Sequence, residues 1–472
     1  MKVYLINPPP SHGVKMVREG RCMQRKGAWT TIWPPITLAT AAAMLLKEDI
    51  EVKLSDCIAE GMSFGQLKLA LRKFNPDLVV INTATASIYS DLSTAKLTKD
   101  VCPQAKTLAL GLHVTVLPDE AFVLSAQLDF VIRGEVEFCL LDVAKKLKEG
   151  NGNLAEIKGL SYRDGEGIHH NQERPFDGDL NTLPFPAWGL INTGNYTLPF
   201  SGEPFLLVTT SKGCLNACVF CPAKPFYGKR LRFRDYRIVA EEMAYVGKQF
   251  GVRHFLIWSE SFTESREYVI SLCDEILKRK LNVSWVCNSR VDKVDLEMLL
   301  LMKQAGCWMI GYGVESGNQD ILDTNKKGVT VTQIEQAIAL AKKAGLEVTA
   351  HIIFGLPGET MQTGLETIRW LNKLDIDYAQ IYCAVPWPST PLYHIAKEKG
   401  WLVTNNWELY EQNNCILDTK SIKPREVEYL RARALGSFYL SPKRMANILK
   451  KINSFRKARL LFDAIKEFLS WL

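Results

Sequence analysis

The sequence predicts an α/β protein in two alternating blocks, a doubly wound parallel sheet followed by a partial β/α barrel, with a helical C-terminal region. Three observations predict it. Short β-rich runs alternate with helical stretches from residue 1 to about 150. The same alternation restarts near residue 204 and repeats six times. The chain has 472 residues, 47% of them hydrophobic and 23% charged, which is ordinary folded composition and too long for one hydrophobic core.

In the first block, 1–150, the strand candidates are 3–6, 51–55, 78–82, 107–110 and 130–132, and helical stretches fill 36–47, 64–74, 88–101 and 137–148. Alternation at this spacing reads as a doubly wound sheet, whose ligands sit beyond the carboxyl ends of the strands. There the chain carries Asn7-Pro8-Pro9, Asp56-Cys57, Thr83-Ala84-Thr85 and Gly111-Leu112-His113, a polar rim. No GxGxxG or GxxxxGK[ST] nucleotide fingerprint accompanies it. Residues 151–198 break the rhythm with Gly165, Gly167, Gly178 and Leu183-Pro184-Phe185-Pro186, and read as a hairpin near 159–170 followed by a linker.

In the second block, 199–400, strands are expected at 205–210, 254–258, 284–287, 309–313, 348–353 and 379–383, with helices at 235–249, 265–279, 294–304, 331–344 and 361–373. Six such units make a partial barrel, with its site at the strand C-termini. The region 401–472 reads as helical and basic. From Ser441 onward, apolar residues such as Ile448, Ile452 and Phe455 recur at helical spacing among lysines and arginines. That pattern fits a helix packed on the barrel with a solvated basic face, or a peripheral contact with an anionic membrane.

The net charge of +7 comes from 58 basic against 51 acidic residues, a mild bias that does not indicate nucleic acid as a partner. The longest apolar stretch, 36–46, falls well short of the ~20 residues of a bilayer span, and the prolines after the first run argue against a signal peptide. A cytoplasmic protein with reduced thiols is expected. Nine of the twelve cysteines (Cys22, Cys57, Cys102, Cys139, Cys273, Cys287, Cys307, Cys383, Cys415) stand alone and read as small buried hydrophobes.

The other three stand together. Cys214, Cys218 and Cys221 follow the first barrel strand with spacings of three and two residues, and Phe220 precedes the last. A zinc site would want a fourth ligand, and no second cysteine pair or nearby histidine supplies it. Three thiolates on one loop suit a cubane iron–sulfur cluster with one iron left open. This CxxxCxxC loop resembles that of the radical S-adenosylmethionine (SAM) superfamily. The resemblance implies a [4Fe-4S] cluster that binds SAM, reduced by a one-electron donor such as flavodoxin or ferredoxin, and reductive cleavage of SAM to methionine and a 5′-deoxyadenosyl radical. It further implies roles for residues at the later strand ends. Glu260 in Trp258-Ser259-Glu260 is similar to the acid that meets the SAM ammonium, with Ser259 where many relatives carry a second acid. Arg290 and Glu315 match positions that meet the carboxylate and ribose, and Gly355 in Gly355-Leu356-Pro357-Gly358-Glu359 matches the adenine-side glycine.

The first block resembles the cobalamin-binding group of that superfamily at Asn7, Pro8, Asp56, Thr83, Thr85, Gly111 and His113, at Trp33-Pro34-Pro35, and at Gly134-Glu135-Val136-Glu137. Leu112 and Val136 depart from glycines common there. Ile58 stands where corrinoid methyltransferases place a cobalt-ligating histidine, so an unligated lower cobalt face is implied, and His113 is expected at the surface or in a hydrogen bond. The function implied is a cobalamin-dependent methyltransferase acting on an unactivated carbon of a small molecule. A ring-forming or rearranging enzyme without net methyl transfer is the alternative, and a non-catalytic cobalamin or cluster sensor the second.

Overall fold

The computed structural model describes residues 1–10, 13–20, 24–25, 31–150, 153–199 and 201–450, together with Arg459 and Phe462. Two sheets, the first mainly and the second wholly parallel, organise it. The first contains β1 (Lys2–Asn7), β2 (Glu51–Asp56), β3 (Leu78–Asn82), β4 (Lys106–Leu110), β5 (Phe130–Ile132), β6 (Leu160–Arg163) and β7 (Ile168–His170). Their spatial order is β2-β1-β3-β4-β5-β6-β7. The first five are parallel, and the β6–β7 hairpin adds antiparallel to β5, so the hairpin is an extension of this sheet. Strands such as β3, Leu-Val-Val-Ile-Asn, are buried along their whole length because helices cover both faces, which is why they read as continuous apolar runs. The strand order reverses between β1 and β3, and a crevice forms beyond the carboxyl ends at such a point.

The second sheet runs β8 (Phe205–Thr209), β9 (His254–Trp258), β10 (Ser284–Ser289), β11 (Cys307–Glu315), β12 (Glu347–Phe354) and β13 (Tyr378–Cys383), in chain order and all parallel. The two outer strands do not pair with each other, so the barrel is open. Along each strand one set of alternate residues packs outward on the helices, as Val348, Ala350, Ile352 and Phe354 do on β12, and the other set faces inward. β10 and β11 run two residues further at their carboxyl ends than the sequence pattern indicates, because polar Asn288 and Ser289 and the glycines of β11 mask continuing strand.

Residues 401–423 differ from the expected helix. They hold only a short turn at Trp407–Leu409 and one bridge, Leu402 to Leu417, and helix begins at Pro424–Tyr439. The asparagine-rich stretch favours local side-chain turns over helix, as where Asn406 accepts from the Glu408 N–H. The stretch crosses to the first sheet, where the Trp407 indole N–H donates to Glu120. Helix Pro442–Lys450 opens the basic tail; apart from Arg459 and Phe462, the rest of that tail lies outside the described residues, as does Cys22. The eight other solitary cysteines are buried. Among the described residues no helix is long and apolar enough to cross a membrane.

Candidate functional site

The cysteine loop leaves β8 and is closed by a two-residue antiparallel ladder, in which Ser211 pairs with Phe233 and Lys212 with Arg232. Two glycines make the loop possible. Gly213 has φ +99, and a Cβ there would strike the Arg230 carbonyl; Gly228 has φ +85, and a Cβ there would lie 2.6 Å from the Phe176 ring. The Cys214 N–H donates to the Gly228 carbonyl at 3.2 Å, and the Val219 N–H to the Asn325 carbonyl at 3.2 Å, which ties the loop to the end of the short helix Gln319–Thr324 that follows β11. Cys214, Cys218 and Cys221 are all half-buried and line one cavity of about 310 Å³, with Phe220 beside them. Burial pushes the Cys218 thiol up, against the pull of Lys327. Among the described residues no three His, Cys, Asp or Glu side chains converge as a single ion would need. Three thiols spread around a shared cavity suit the larger frame of a cluster.

Strand ends bring the expected charged groups to this cavity. Glu260, Arg290 and Glu315 all line it. Glu315 sits where the β11–β12 register shifts and has φ +68, so a local bulge turns its carboxylate back along the strand. Lys327 meets it, Nζ to Oε1 at 2.7 Å, both side chains more than nine-tenths buried. The pair lies over Gly313, where a Cβ would come within 2.7 Å of both charged atoms. Arg290 is occupied differently from the sequence expectation. Its guanidinium donates to Asp292 at 2.8 and 3.1 Å, to the Lys327 carbonyl at 3.0 Å and to the Gly328 carbonyl at 3.2 Å, so it clamps the turn that carries Lys327. Gly355 does not line the cavity. A Cβ there would lie 3.1 Å from Val427 of the Pro424–Tyr439 helix, and its N–H donates to the Glu359 carboxyl, which burial pushes up to about 8.

The remaining candidates gather beyond the first sheet. Asp56 is fully buried, accepting from Asn7 at 2.9 Å, Tyr196 at 2.8 Å and the Ile58 N–H at 3.1 Å. Arg18 is buried across the same rim, donating to the Pro8 carbonyl at 3.0 Å and paired with Asp91 at 2.6 Å. Gly111 has φ +128, and a Cβ there would strike the Thr83 carbonyl, so close packing of strand ends accounts for that glycine. Thr83 donates its hydroxyl to the Leu110 carbonyl at 2.8 Å, and Thr85 is buried on the turn that follows. His113 is neither at the surface nor hydrogen-bonded. It is fully buried, both ring nitrogens lack a partner, and burial lowers its pKa to about 4. Trp407 covers it edge-on, with centroids 4.9 Å apart. A buried imidazole with two orphan nitrogens on the rim fits a polar group bound there. Asn7, Pro8, Asp56, Thr83, Thr85, Gly111 and His113 are thus brought together, but not into the cavity of the cysteines.

Sequence reasoning missed Lys327, which has no motif of its own, and the partners of Glu135 and Glu137. Glu137 takes the buried Lys212 at 2.7 Å, and Glu135 pairs with Arg232, so the rim segment after β5 grips both ends of the cysteine loop.

The chain matches the Radical SAM superfamily over residues 208–371 and the B12 binding domain over residues 28–143. It is 32% identical over 443 residues, 94% of this chain and 93% of the relative, to an uncharacterised methyltransferase of Pyrococcus horikoshii. It is 30% identical over 400 residues to the anaerobic magnesium-protoporphyrin IX monomethyl ester cyclase of Cereibacter sphaeroides, spanning 83% of this chain and 64% of that one. In structure it resembles the radical S-adenosylmethionine methyltransferase TsrM from Kitasatospora setae, solved with cobalamin and a [4Fe-4S] cluster, at TM-score 0.72 and 16% identity over 98% and 99% of the two chains. That last likeness is one of fold.

Proposed function

This chain belongs to the radical SAM enzymes that carry a B12-binding domain, and from that premise we propose that it is a cobalamin-dependent methyltransferase acting on an unactivated carbon of a small molecule. The observation that carries the proposal is the shared cavity: three cysteines on one loop line it together with the Glu315–Lys327 pair and Glu260. In this reading Cys214, Cys218 and Cys221 hold a [4Fe-4S] cluster, and cobalamin lies at the first sheet's rim, by Asn7, Pro8, Asp56, Thr83, Thr85, Gly111 and His113. Bound cluster, SAM and cobalamin together supply radical generation and a transferable methyl group.

The protein's own residues bind, orient and exclude water. Lys327, held by the Arg290 clamp, presents a cation to the SAM carboxylate, and Glu260 an anion to its ammonium. Phe220 and Phe205 keep the space beside the thiolates apolar. A flavodoxin- or ferredoxin-type donor provides the electrons. The relative named a methyltransferase matches over nearly its whole length, which favours methyl transfer. The similarity to a cyclase keeps ring formation as the second reading.

The deciding experiment incubates enzyme and reductant with methyl-deuterated SAM and an extract of source cells. Methyl transfer yields a deuterated product with about one S-adenosylhomocysteine and one 5′-deoxyadenosine per turnover, because two SAM molecules serve different roles. Abundant 5′-deoxyadenosine without S-adenosylhomocysteine or labelled product would give the assignment to the second reading.

A further inference from the structure

The charged side chains lining the cavity, Glu260, Arg290, Glu315 and Lys327, all stand at the ends of β9, β10 and β11 or on the turn after the short helix Gln319–Thr324 that follows β11. β12 and β13 contribute none. Their inward positions, alternating with the core-facing Ala350, Ile352, Ala379 and Ile381, present Thr349, His351, Gln380 and Tyr382. These side chains form one ordered patch. His351 is the register partner of Gln380. The His351 and Tyr382 rings lie 6.2 Å apart and within 9° of parallel, and the Tyr382 hydroxyl donates to Gln380. Space for the patch comes from β11: a Cβ on Gly311 would lie 3.1 Å from His351 Nε2 and would strike Asn288. The uncharged lining elsewhere is mainly apolar, with Trp33, Leu198, Phe205, Val385 and Trp387.

A carboxylate, phosphate or ammonium laid against β12 and β13 would lose hydration without meeting a counter-charge, which is costly. A carbonyl would exchange water for hydrogen bonds from the imidazole and the amide, and a hydroxyl would in addition donate to the Tyr382 oxygen, whose own proton goes to Gln380, while an apolar body gained from the aromatic lining. We propose that the β12–β13 wall is the substrate subsite, and that it takes the uncharged hydroxyl- or carbonyl-bearing end of an otherwise apolar molecule. The proposal rests on the radical SAM reading above, though not on which reaction follows radical formation.

The test is retention of small molecules, read by mass spectrometry and independent of turnover. Full-length protein loaded with cluster and cobalamin is mixed with source-cell extract, split by ion exchange into uncharged, anionic and cationic fractions, and then recovered by gel filtration. The wild type retains a compound from the uncharged fraction. His351→Leu and Tyr382→Phe retain about tenfold less of it, the loss of roughly one hydrogen bond's net worth, and His351→Gln recovers part. Iron content and thermal unfolding verify that each variant is folded; Thr349→Val serves as a second, milder probe should His351→Leu fail to fold. Retention of an anionic or cationic compound instead, equal retention by the variants, or no retention from any fraction overturns the subsite. Failure of the wild type to form 5′-deoxyadenosine from SAM and reductant would sink the parent reading by a separate measurement.

Discussion

Lys212 and Arg232 face each other in the two-residue ladder that closes the cysteine loop, and each ends on a glutamate of the first domain, Glu137 and Glu135. All four side chains are at least about nine-tenths buried. The loop that presents the three cysteines is therefore anchored at both stems by the domain read as cobalamin-binding. The string Gly134-Glu135-Val136-Glu137, conspicuous in sequence as a rim motif, has a mechanical use: it ties one domain's rim to the other's cysteine loop.

Glu137→Gln should accordingly weaken the loop, since it leaves the buried Lys212 ammonium with only the Glu135 carboxylate, 4.0 Å away and already paired with Arg232, and breaking a buried pair from one side costs up to about 3–5 kcal/mol. The expected outcome is a lowered unfolding temperature and iron lost to a chelator several times faster than from the wild type. Glu48→Ala removes the partner of the exposed pair with Lys145, worth at most about 1 kcal/mol, and should change neither. If the two variants release iron at the same rate, the anchoring is not what holds the loop.

Lys327 supports a second prediction, separating SAM binding from cluster binding. Lys327→Met should raise the SAM concentration for half-maximal 5′-deoxyadenosine formation by about tenfold or more, the worth of one charge-assisted hydrogen bond. The variant also leaves the Glu315 carboxylate buried without its partner, so its unfolding temperature should fall, but its iron content, measured below that transition, should stay at the wild-type level because Lys327 does not hold the cysteine loop. Cys214→Ala, Cys218→Ala and Cys221→Ala should each lose the iron–sulfur absorbance and all SAM cleavage. Unchanged SAM dependence in Lys327→Met would remove that residue from the binding role.

Much of this was legible in the sequence, and the boundary has a physical cause. Most strand and helix limits lie within two residues of the apolar pattern, because a buried strand or amphipathic helix writes its period directly into neighbouring residues. The cysteine triad is equally local. Lys327 with Glu315, Lys212 with Glu137 and Arg232 with Glu135 are 12, 75 and 97 residues apart, and a pair closed by tertiary packing leaves no spacing to read. The burial of His113 is hidden from the sequence for the same reason: the ring that covers it belongs to Trp407, on an irregular segment whose course no periodicity marks. Arg290 was placed at the right strand end, yet what its donors reach depends on the fold of the 327–328 turn.

Ile58 bears on cobalt. It is fully buried just after β2, and its N–H caps onto Asp56, so the position where corrinoid methyltransferases carry a ligating histidine is filled by an aliphatic side chain. Cob(II)alamin bound to the protein should give an electron paramagnetic resonance spectrum without nitrogen superhyperfine splitting from a lower ligand. Splitting that vanishes in His113→Phe would show that His113 reaches the metal.

The pH dependence of stability offers a last prediction, in which two buried groups act with opposite signs. His113 is held down at about pKa 4 by burial, whereas the imidazole of an unfolded chain titrates near 6.5. Between those values the unfolded chain binds a proton that the folded one refuses, so stability falls as pH drops from about 6.5 to about 4, by at most about 1.4 kcal/mol per pH unit. Glu19 is raised to about 7, by burial first, with Glu137 adding to the rise while its hydrogen bonds from Thr37 and the charge of Lys212 oppose it. Folded, it keeps a proton that the unfolded chain gives up near 4.5, so stability falls as pH rises from about 4.5 to 7. The two slopes oppose each other across one window and partly cancel in the wild type. His113→Phe should remove the acid-side loss, so that its stability relative to wild type grows as pH falls from 6.5 to 4. Glu19→Gln should do the reverse, gaining on the wild type as pH rises from 4.5 to 7. Unfolding temperatures of the three proteins measured at intervals from pH 4.5 to 8 check both, and difference curves of the same sign would show that one of the two groups is not titrating as its burial requires.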